Sequence, residues 1–376
     1  MNGNKIKIIA LLTALVLYAV VAVCTLVGWN NVLSSCLIRK LLFRPMKIGA
    51  IYIDPENAEY SIVHDDALDA ASARIGKGKV KIVKRANVPA DSDVIGLMED
   101  MINGGCELIF ADAVDYQDYV LSVAEKYPDI YFAVAAGEKT APNVSCYWGR
   151  TYQLRYLTGI LTGLMVKSGS VGYVAGYKIP QVIRDVDAFT LGVRSVNKEV
   201  VVKVIWVDTW SDALICKKAA LALLGQGAEL IIQHVDSMDP AIVAVQHGKY
   251  AIGHNADFGK SLGSPNILVS LVWNWEPFMV STIRSVLDGK WQSQFYWGGI
   301  KEGMISLTNF SPLVRQEVRD RVTQAAEAIV NHDDVFCGEL RDNRGNIRQR
   351  SGVCMSDQQL LTIDWLVEGV EEVPLI

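Results

Sequence analysis

The strongest constraint on this chain is a repeated alternation. Short apolar runs alternate with segments in which apolar residues recur with the period of an α-helix. Lys47–Ile53, Leu108–Asp112 and Ile130–Ala136 have the length and composition of buried strands, and a helical segment separates each run from the next. Strands that alternate with helices usually pair in parallel. The sequence therefore predicts an α/β protein in which parallel sheets are flanked by helices.

The alternation occurs in two series. A long helix predicted over Tyr152–Lys167 is followed by Ser168–Ser170, whose composition is typical of a boundary, and a second series begins at Val171. A chain of 376 residues has room for two lobes of ordinary size. The boundaries that we predict are residues 46–168 and about 274–300 for lobe 1, 169–273 and about 301–332 for lobe 2, and 333–376 for a C-terminal surface strap.

Four strand ends in the second series carry polar and aromatic side chains, and we predict that they face one ligand cleft. These ends are Trp210 with Asp212, His234 with Asp236, His254 and Asn255 with Asp257, and Trp273 with Trp275. In an open α/β sheet, ligands bind beyond the carboxyl ends of the strands. The alternative is that these are ordinary strand-to-helix loops in which the aspartates cap helices. Tyr60, between the first strand and its helix, is predicted to face the same crevice.

The N-terminal segment, residues 1–45, indicates export with attachment to a membrane. Two lysines precede Ile8–Gly28, an apolar run that is long enough to cross a bilayer. The run is either an uncleaved signal anchor or part of a lipoprotein signal in which Cys36 is the lipidation site. Both alternatives place the rest of the chain outside the cytoplasm, anchored to the cell membrane. A reversed anchor, with the basic cluster inside, is a third arrangement.

Composition and missing motifs exclude several classes of function. A net charge of −5, with no basic cluster interleaved with aromatics, argues against a nucleic-acid surface. The sequence has no GxSxG elbow, P-loop, HExxH motif or dinucleotide fingerprint, so we expect neither an enzyme nor a bound cofactor.

The cysteines do not indicate a metal site or a disulfide framework. The chain has seven, with no CxxC pair and no zinc-like spacing to histidine. Cys337 and Cys354 flank a turn-rich segment and could form a disulfide. Cys106, Cys146 and Cys216 have the surroundings of small buried hydrophobic residues.

From Lys47 to the C-terminus the chain resembles the basic membrane protein family of ABC-transporter substrate-binding lipoproteins, which includes purine-nucleoside receptors. The segments that carry this resemblance are Val171–Arg184 with Ala188–Gly192, Ala222–His234 and Val286–Trp291. Leu271–Trp275, Tyr296–Gly299 and Asp364–Gly369 resemble the subgroup that includes purine-base-binding proteins. The resemblance implies a type I periplasmic-binding-protein fold whose two lobes close on a ligand about a hinge, and an ABC permease as partner.

The resemblance also implies aromatic contacts to the ligand. Family members hold a purine between aromatic side chains, and the matching positions here are Tyr60 and Trp210. The alternative is that these two residues are ordinary core or rim aromatics. Nucleoside-binding relatives carry a Lys that helps to hold the ribose where this chain has Trp273. Because an indole fills that space, we expect a free nucleobase.

Three aspartates complete the predicted site. Asp187 replaces the Asn of purine-base relatives, which favours guanine-like ligands because a carboxylate only accepts hydrogen bonds. Asp187 could instead cap a helix or form a salt bridge with Arg184. Asp236 is predicted to accept a ring N–H. Asp257 lies where nucleoside-binding members use Asp on ribose, but here it follows His254 and Asn255, which leaves its role open.

The resulting prediction is an extracytoplasmic protein that captures a purine nucleobase, of the adenine or guanine type, for an ABC permease. Three alternatives stay open at this point. The same fold serves ligand-sensing receptors and regulators, the ligand could be a purine nucleoside, and a degenerate enzyme such as a nucleoside hydrolase would share the architecture.

Overall fold

The structure of this protein is a computed structural model that describes residues 45–375, except 57, 77, 167–168 and 333–334. The predicted signal or anchor segment, with Cys36, lies outside the described residues. No helix in the described ranges combines the length and the apolar character that crossing a bilayer requires.

The first sheet is parallel throughout, and within the described ranges it has six strands in the order β11-β5-β4-β3-β1-β2. Its strands are β1 (Met46–Ile51), β2 (Val80–Arg85), β3 (Cys106–Ala111), β4 (Tyr131–Ala135), β5 (Val144–Gly149) and β11 (Phe295–Gly298). Strands β1, β3 and β4 are almost completely buried, which explains why their sequences are continuous apolar runs.

The second sheet has seven strands among the described residues, in the order β12-β10-β9-β8-β6-β7-β15, and β12 alone of these runs antiparallel to its neighbour. Its strands are β6 (Ser170–Ala175), β7 (Val201–Trp206), β8 (Ala228–His234), β9 (Tyr250–Gly253), β10 (Ile267–Trp273), β12 (Ile305–Leu307) and β15 (Val370–Glu372). The strands of each sheet come from more than one part of the chain, so the polypeptide passes between the sheets several times.

Helices connect the strands, as the alternation of the sequence predicts. The helices in the described ranges are α1 (Glu59–Ile75), α2 (Asp93–Asn103), α3 (Gln117–Lys126), α4 (Thr151–Met165), α5 (Pro180–Val196), α6 (Ala213–Gly225), α7 (Asp239–Gln246), α8 (Phe258–Leu262), α9 (Glu276–Leu287), α10 (Gln316–His332) and α11 (Asp357–Leu361). Helix α4 leads from the first sheet to the second and packs closely on α5. A Cβ atom at Gly159 would lie 2.1 Å from the Phe189 carbonyl oxygen, so glycine is needed at this contact.

The strand order determines where a ligand can bind. In the first sheet β1 lies between β3 and β2, and in the second sheet β6 lies between β8 and β7. The connections therefore leave in opposite directions on either side of β1 and β6, which opens a crevice at the carboxyl ends of the strands. Residues that follow β1, β3, β6 and β8 are placed at these two crevices.

The C-terminal residues after α10 contribute buried side chains to the core, among them Phe336, Ile363 and Val367, and then join the second sheet. Cys337 and Cys354 form a disulfide beside a short hairpin made of β13 (Leu340–Arg341) and β14 (Ile347–Gln349), which confirms the pairing suggested by the sequence. Strand β15 pairs in parallel with β7 at the edge of the sheet. The cysteines Cys106, Cys146 and Cys216 are free and buried, as expected.

Candidate functional site

The carboxyl ends of the two sheets enclose a cavity of about 170 Å³. The first-lobe wall is formed by residues at or after the carboxyl ends of the first-sheet strands: Ile53, Asp54, Ala58, Tyr60, Ser61, Asp112, Ala113, Val114, Asp115, Ala136 and Trp148. The second-lobe wall is formed by Ile179, Gln181, Trp210, Ser211, His234, Asp236, His254, Asn255 and Trp273.

The first-lobe wall combines aromatic faces with one buried carboxylate, Asp112. The ring centroids of Tyr60 and Trp148 are 5.9 Å apart. Asp112 follows β3, and its carboxylate accepts hydrogen bonds from the Ser61 hydroxyl at 2.5 Å and from the Ile53 backbone N–H at 3.2 Å. These contacts hold the carboxylate at the cavity, where a ligand N–H can reach it.

The second-lobe wall contains a hydrogen-bonded chain of three side chains. Trp273 Nε1 donates to Asn255 Oδ1 at 2.9 Å, and Asn255 Nδ2 donates to Asp236 Oδ1 at 2.8 Å. The chain fixes the orientation of the Asn255 amide and leaves Asp236 able to accept another hydrogen bond.

Trp273 is packed between other indoles as well as hydrogen-bonded. Its ring stacks on Trp275 with centroids 4.3 Å apart and lies 4.8 Å from the ring of Trp148 in the first-lobe wall. A Cβ atom at Gly149 would lie 2.4 Å from Trp273 Cζ3, so only glycine leaves room for the indole in this position. The side chain is therefore a rigid boundary of the cavity.

A second glycine makes room for Trp210. A Cβ atom at Gly176, just after β6, would lie 2.6 Å from the Trp210 ring. The Trp210 carbonyl accepts the Asp236 backbone N–H at 2.7 Å, which ties this loop to the end of β8. The indole is placed on the cavity by backbone contacts as well as by packing.

Both cavity carboxylates are easily protonated. Burial raises the pKa of Asp236 to about 7, although the hydrogen bond from Asn255 acts in the opposite direction. Burial also raises the pKa of Asp112 to about 7, against the hydrogen bonds from Ser61 and Ile53, and the charge of Asp236 raises it further. Two acids in one small cavity thus favour a ligand that brings hydrogen-bond donors.

Two buried histidines complete the second-lobe wall. His234 ends β8 and is 4% exposed, and His254 follows β9 and is 3% exposed. Their ring centroids are 4.8 Å apart. Both line the cavity and both also contact a buried ion pair behind it.

The structure brings four of the six predicted ligand-binding residues to this cavity. Tyr60, Trp210, Asp236 and Trp273 all line it. Each lies at the end of a strand or at the start of the following helix, so the strand-tip argument explains their convergence.

Asp187 departs from the sequence expectation because it does not line the cavity. It lies on α5 and is completely buried, and its Oδ1 accepts the Val367 backbone N–H at 2.9 Å. Burial raises its pKa well above the ordinary range of a carboxyl group. The argument for guanine that rested on Asp187 loses its structural basis, and the suggested salt bridge is also absent, because Arg184 Nη1 donates to the Leu360 carbonyl.

Asp257 does not line the cavity either. Its carboxylate caps α8 by accepting the Lys260 backbone N–H at 3.1 Å. Asp212 caps α6 in the same way, with the Ile215 N–H at 2.9 Å. At these two strand ends the aspartates cap helices, which is the alternative to ligand binding. Asn255 lines the cavity, where Asp257 was expected.

Asp112, Trp148 and the two histidines lie at the site but were not among the predicted ligand-binding residues. Asp112 follows β3 directly, so the strand-tip rule applied to the second lobe could have found it in the first. Trp148 lies inside the apolar run of β5, where the sequence does not distinguish a cavity residue from a core residue.

The fold and the site define a two-lobed α/β solute-binding protein. A family model described as Bmp, ABC transporter substrate-binding protein PnrA-like, matches residues 60–335. This match covers well over half of the chain, and the chain therefore belongs to the Bmp family of PnrA-like ABC transporter substrate-binding proteins. Members of such a family are extracytoplasmic solute binders that work with a permease.

Individual relatives differ in the ligand they are named for. An ABC transporter protein of Haloferax volcanii named for glucose binding is 36% identical over 318 residues, which are 84% of this chain and 78% of that protein. A purine-binding protein of Brucella abortus is 33% identical over 330 residues, 87% of this chain and 93% of that protein.

The fold also matches solved structures. The solute-binding protein of an ABC transporter system from Aeropyrum pernix superposes with a TM-score of 0.66 at 16% identity. The match covers 84% of this chain and 97% of that one, so both lobes take part in it.

Proposed function

We propose that this protein captures a free purine nucleobase outside the cytoplasm and delivers it to an ABC permease. The observation that carries the proposal is one small cavity lined by four large aromatic side chains, two buried carboxylates and the amide of an asparagine. These residues are Tyr60, Trp148, Trp210 and Trp273 with Asp112, Asp236 and Asn255.

The size of the cavity favours a base over a nucleoside. Pockets for drug-sized ligands are usually about 300–1,000 Å³, and this cavity holds about 170 Å³. Trp273 cannot move aside without losing its hydrogen bond to Asn255 and its stacking on Trp275. A ribose attached to the base would need that space.

The side chains match the surface of a nucleobase. Stacking of a base on an aromatic side chain contributes about 1–3 kcal/mol, and rings are available from both lobes. Asp112 and Asp236 accept hydrogen bonds from ring or exocyclic N–H groups. Contacts from both lobes to one planar ligand also favour closure of the two lobes about the segments that connect them.

A monosaccharide is the second candidate, because a relative at 36% identity is named for glucose binding. Carboxylates, amides and indoles can also bind sugar hydroxyls. The aromatic faces on both walls favour the base, because a planar ring can stack on them over its whole area.

The test is thermal unfolding of the protein with adenine, guanine, hypoxanthine, xanthine, their nucleosides and D-glucose. A ligand at about 100 times its Kd adds roughly 2.7 kcal/mol of stability. We expect at least one base to raise the melting temperature and the nucleosides and glucose to leave it unchanged. A shift with glucose alone would replace the proposal with the sugar, and a larger shift with nucleosides would contradict the role of Trp273.

Attachment to the membrane and closure of the two lobes are separate proposals, and each needs its own experiment. Membrane attachment through Cys36 or through an uncleaved anchor concerns residues 1–45, and mass analysis of the mature protein distinguishes a lipid-modified N-terminus from an intact one. The two sheets are the proposed lobes, and small-angle scattering with and without ligand measures whether they close.

A further inference from the structure

A buried ion pair lies directly behind the second-lobe wall of the cavity. Arg155 on α4 and Asp185 on α5 are both completely buried, and Arg155 Nε donates to Asp185 Oδ2 at 3.1 Å. The Thr151 hydroxyl donates to Asp185 Oδ1 at 2.8 Å. The close packing of α4 on α5 at Gly159 holds the two charged groups in fixed positions.

Each cavity histidine contacts a different member of this pair. Arg155 Nη2 lies 3.1 Å from His254 Nδ1. Because a guanidinium group only donates, His254 Nδ1 accepts this hydrogen bond. A neutral imidazole carries one proton, so the proton of His254 is on Nε2.

His234 has the opposite arrangement. Its Nδ1 lies 3.3 Å from Asp185 Oδ2, which is within ion-pair distance but does not have the geometry of a hydrogen bond. A carboxylate only accepts hydrogen bonds, so this contact favours the proton on His234 Nδ1. The Nε2 atom of His234 then carries a free lone pair.

The charge states of the cluster are consistent with two neutral rings. Burial lowers the pKa of His254 well below its ordinary value, and the charge of Arg155 lowers it further. Burial also lowers the pKa of His234, although Asp185 opposes the shift. The pKa of Asp185 is lowered in spite of its burial, because His234 Nδ1 and the charge of Arg155 lie close to its carboxylate. Asp185 therefore stays ionised and both imidazoles stay uncharged.

We propose that the Arg155–Asp185 pair holds His254 and His234 in opposite tautomers, and that their Nε2 atoms present one N–H donor and one acceptor to the ligand. His234 and His254 are then ligand-binding residues, and Arg155 and Asp185 are positioning residues. The proposal deepens the proposed function, on which it rests, because it states how the cavity recognises one edge of the base.

The chemistry of the pair defines the class of ligand. A fixed donor beside a fixed acceptor matches a planar heterocycle that carries an adjacent acceptor and donor on one edge. A ring carbonyl next to a ring N–H has this pattern, and so does an amino group next to a ring nitrogen. Sugar hydroxyls both donate and accept, so they do not require two different tautomers.

The direct test is nitrogen NMR of the wild-type protein labelled with ¹⁵N-histidine, without ligand. Imidazole nitrogens that carry a proton and those that do not have well separated chemical shifts. We expect His254 protonated on Nε2 and His234 protonated on Nδ1, with signals assigned from the His254→Gln and His234→Gln variants. The same tautomer on both rings, or a charged ring at pH 7, would overturn the proposal.

Affinity measurements test whether the ligand uses these atoms. Glutamine has one donor and one acceptor, so at position 254 its oxygen can accept from Arg155 while its nitrogen faces the ligand. At position 234 the same amide can turn around. We expect both Gln variants to bind the base within about threefold of the wild type, and His254→Leu and His234→Leu to bind about tenfold more weakly.

A histidine outside the cavity provides the control. His247→Leu removes an exposed histidine that directly follows α7 and does not line the cavity, so it should leave the affinity unchanged. Equal losses in the Gln and Leu variants, or no loss in the Leu variants, would contradict recognition by the two Nε2 atoms. If the wild type binds no base, the proposed function and the edge recognition fail together, while the NMR spectrum still decides the tautomers.

Discussion

The two walls of the cavity are built in different ways. The first-lobe wall offers aromatic faces and one buried carboxylate, Asp112, which protein donors hold at the cavity. The second-lobe wall holds two imidazoles and a continuous hydrogen-bonded chain from Trp273 through Asn255 to Asp236. The difference indicates that both lobes supply stacking surface, while the second lobe supplies most of the groups that recognise the polar edges of the ligand.

The second-lobe wall also has polar contacts to the residues behind it. Its histidines are tied to an ion pair between two packed helices, and its Trp210 loop is fixed by a backbone hydrogen bond to Asp236. We infer that the second lobe binds the ligand in a preformed site and that the first lobe closes over it.

Asp236→Ala should have the largest effect on binding. The substitution removes a carboxylate that accepts from the ligand and also frees Asn255, so we expect a loss of about 2–3 kcal/mol, measured by titration calorimetry. The matched control is Asp257→Ala, which removes a helix cap outside the cavity. It should cost about 1 kcal/mol of stability and leave the affinity unchanged. Equal losses of affinity in both variants would break the assignment of Asp236 to the wall.

Stacking should be shared between the two lobes. Tyr60→Leu and Trp210→Leu each remove one aromatic face, and we expect each to lower the binding free energy by about 1–3 kcal/mol. Trp291→Leu is the control, because that indole packs on Tyr131 away from the cavity. Calorimetry that shows no loss for either cavity variant would mean that the base does not lie between these rings.

The acid of the first-lobe wall should make stability depend on pH. Burial raises the pKa of Asp112 to about 7 in the folded protein, above its unfolded value of about 4. The folded state then binds more protons in this range, so this contribution to stability is present below pH 4 and is lost as the pH rises through about 7. Asp112→Asn removes the dependence.

The measurement for Asp112 is urea unfolding of the ligand-free wild type and of Asp112→Asn at several pH values. We expect the stability of the wild type to fall, relative to that of Asp112→Asn, as the pH rises from 4 to 8. Parallel pH profiles would show that Asp112 is solvated in the free protein.

Trp273→Lys should have the smallest effect on binding. It tests whether the indole in the second-lobe wall excludes the ribose of a nucleoside. Removing the indole opens space beside Asn255 and adds a hydrogen-bond donor for hydroxyl groups. We expect the affinity for nucleosides relative to bases to rise about tenfold, which corresponds to about 1.4 kcal/mol. Trp273→Phe keeps an aromatic ring and should still favour bases. A nucleoside preference in the wild type would show that the indole does not exclude ribose.

The sequence was sufficient for the fold and for the part of the site that follows strands. Apolar runs that end in polar residues predicted the sheets, and the same rule placed Tyr60, Trp210, Asp236 and Trp273 at one crevice. The rule could not separate a ligand-facing carboxylate from a helix cap, because both come directly after a strand. Asp257 shows this limit, since its carboxylate accepts a hydrogen bond from α8.

The prediction that Asp187 binds the ligand failed for a different reason, which is that Asp187 lies on a buried face of a helix. Asp185 and Asp187 are two residues apart on α5, and both are completely buried with different partners. The partner of Asp187 is the backbone of Val367, 180 residues away along the chain. Arg155 and His254 are 99 residues apart. Contacts of this kind depend on how the helices pack, which no local pattern in the sequence specifies.

The most direct test of the central claim is a competition among ligands for the purified protein. The protein is refolded to remove bound solutes and mixed with equal amounts of the four purine bases, their nucleosides and D-glucose. It is then separated by gel filtration and denatured, and the released ligand is identified by mass spectrometry. The account predicts a purine base at about one per protein in the wild type and a large reduction in Asp236→Ala. Release of a nucleoside or glucose in place of a base would contradict it, as would the absence of any bound ligand.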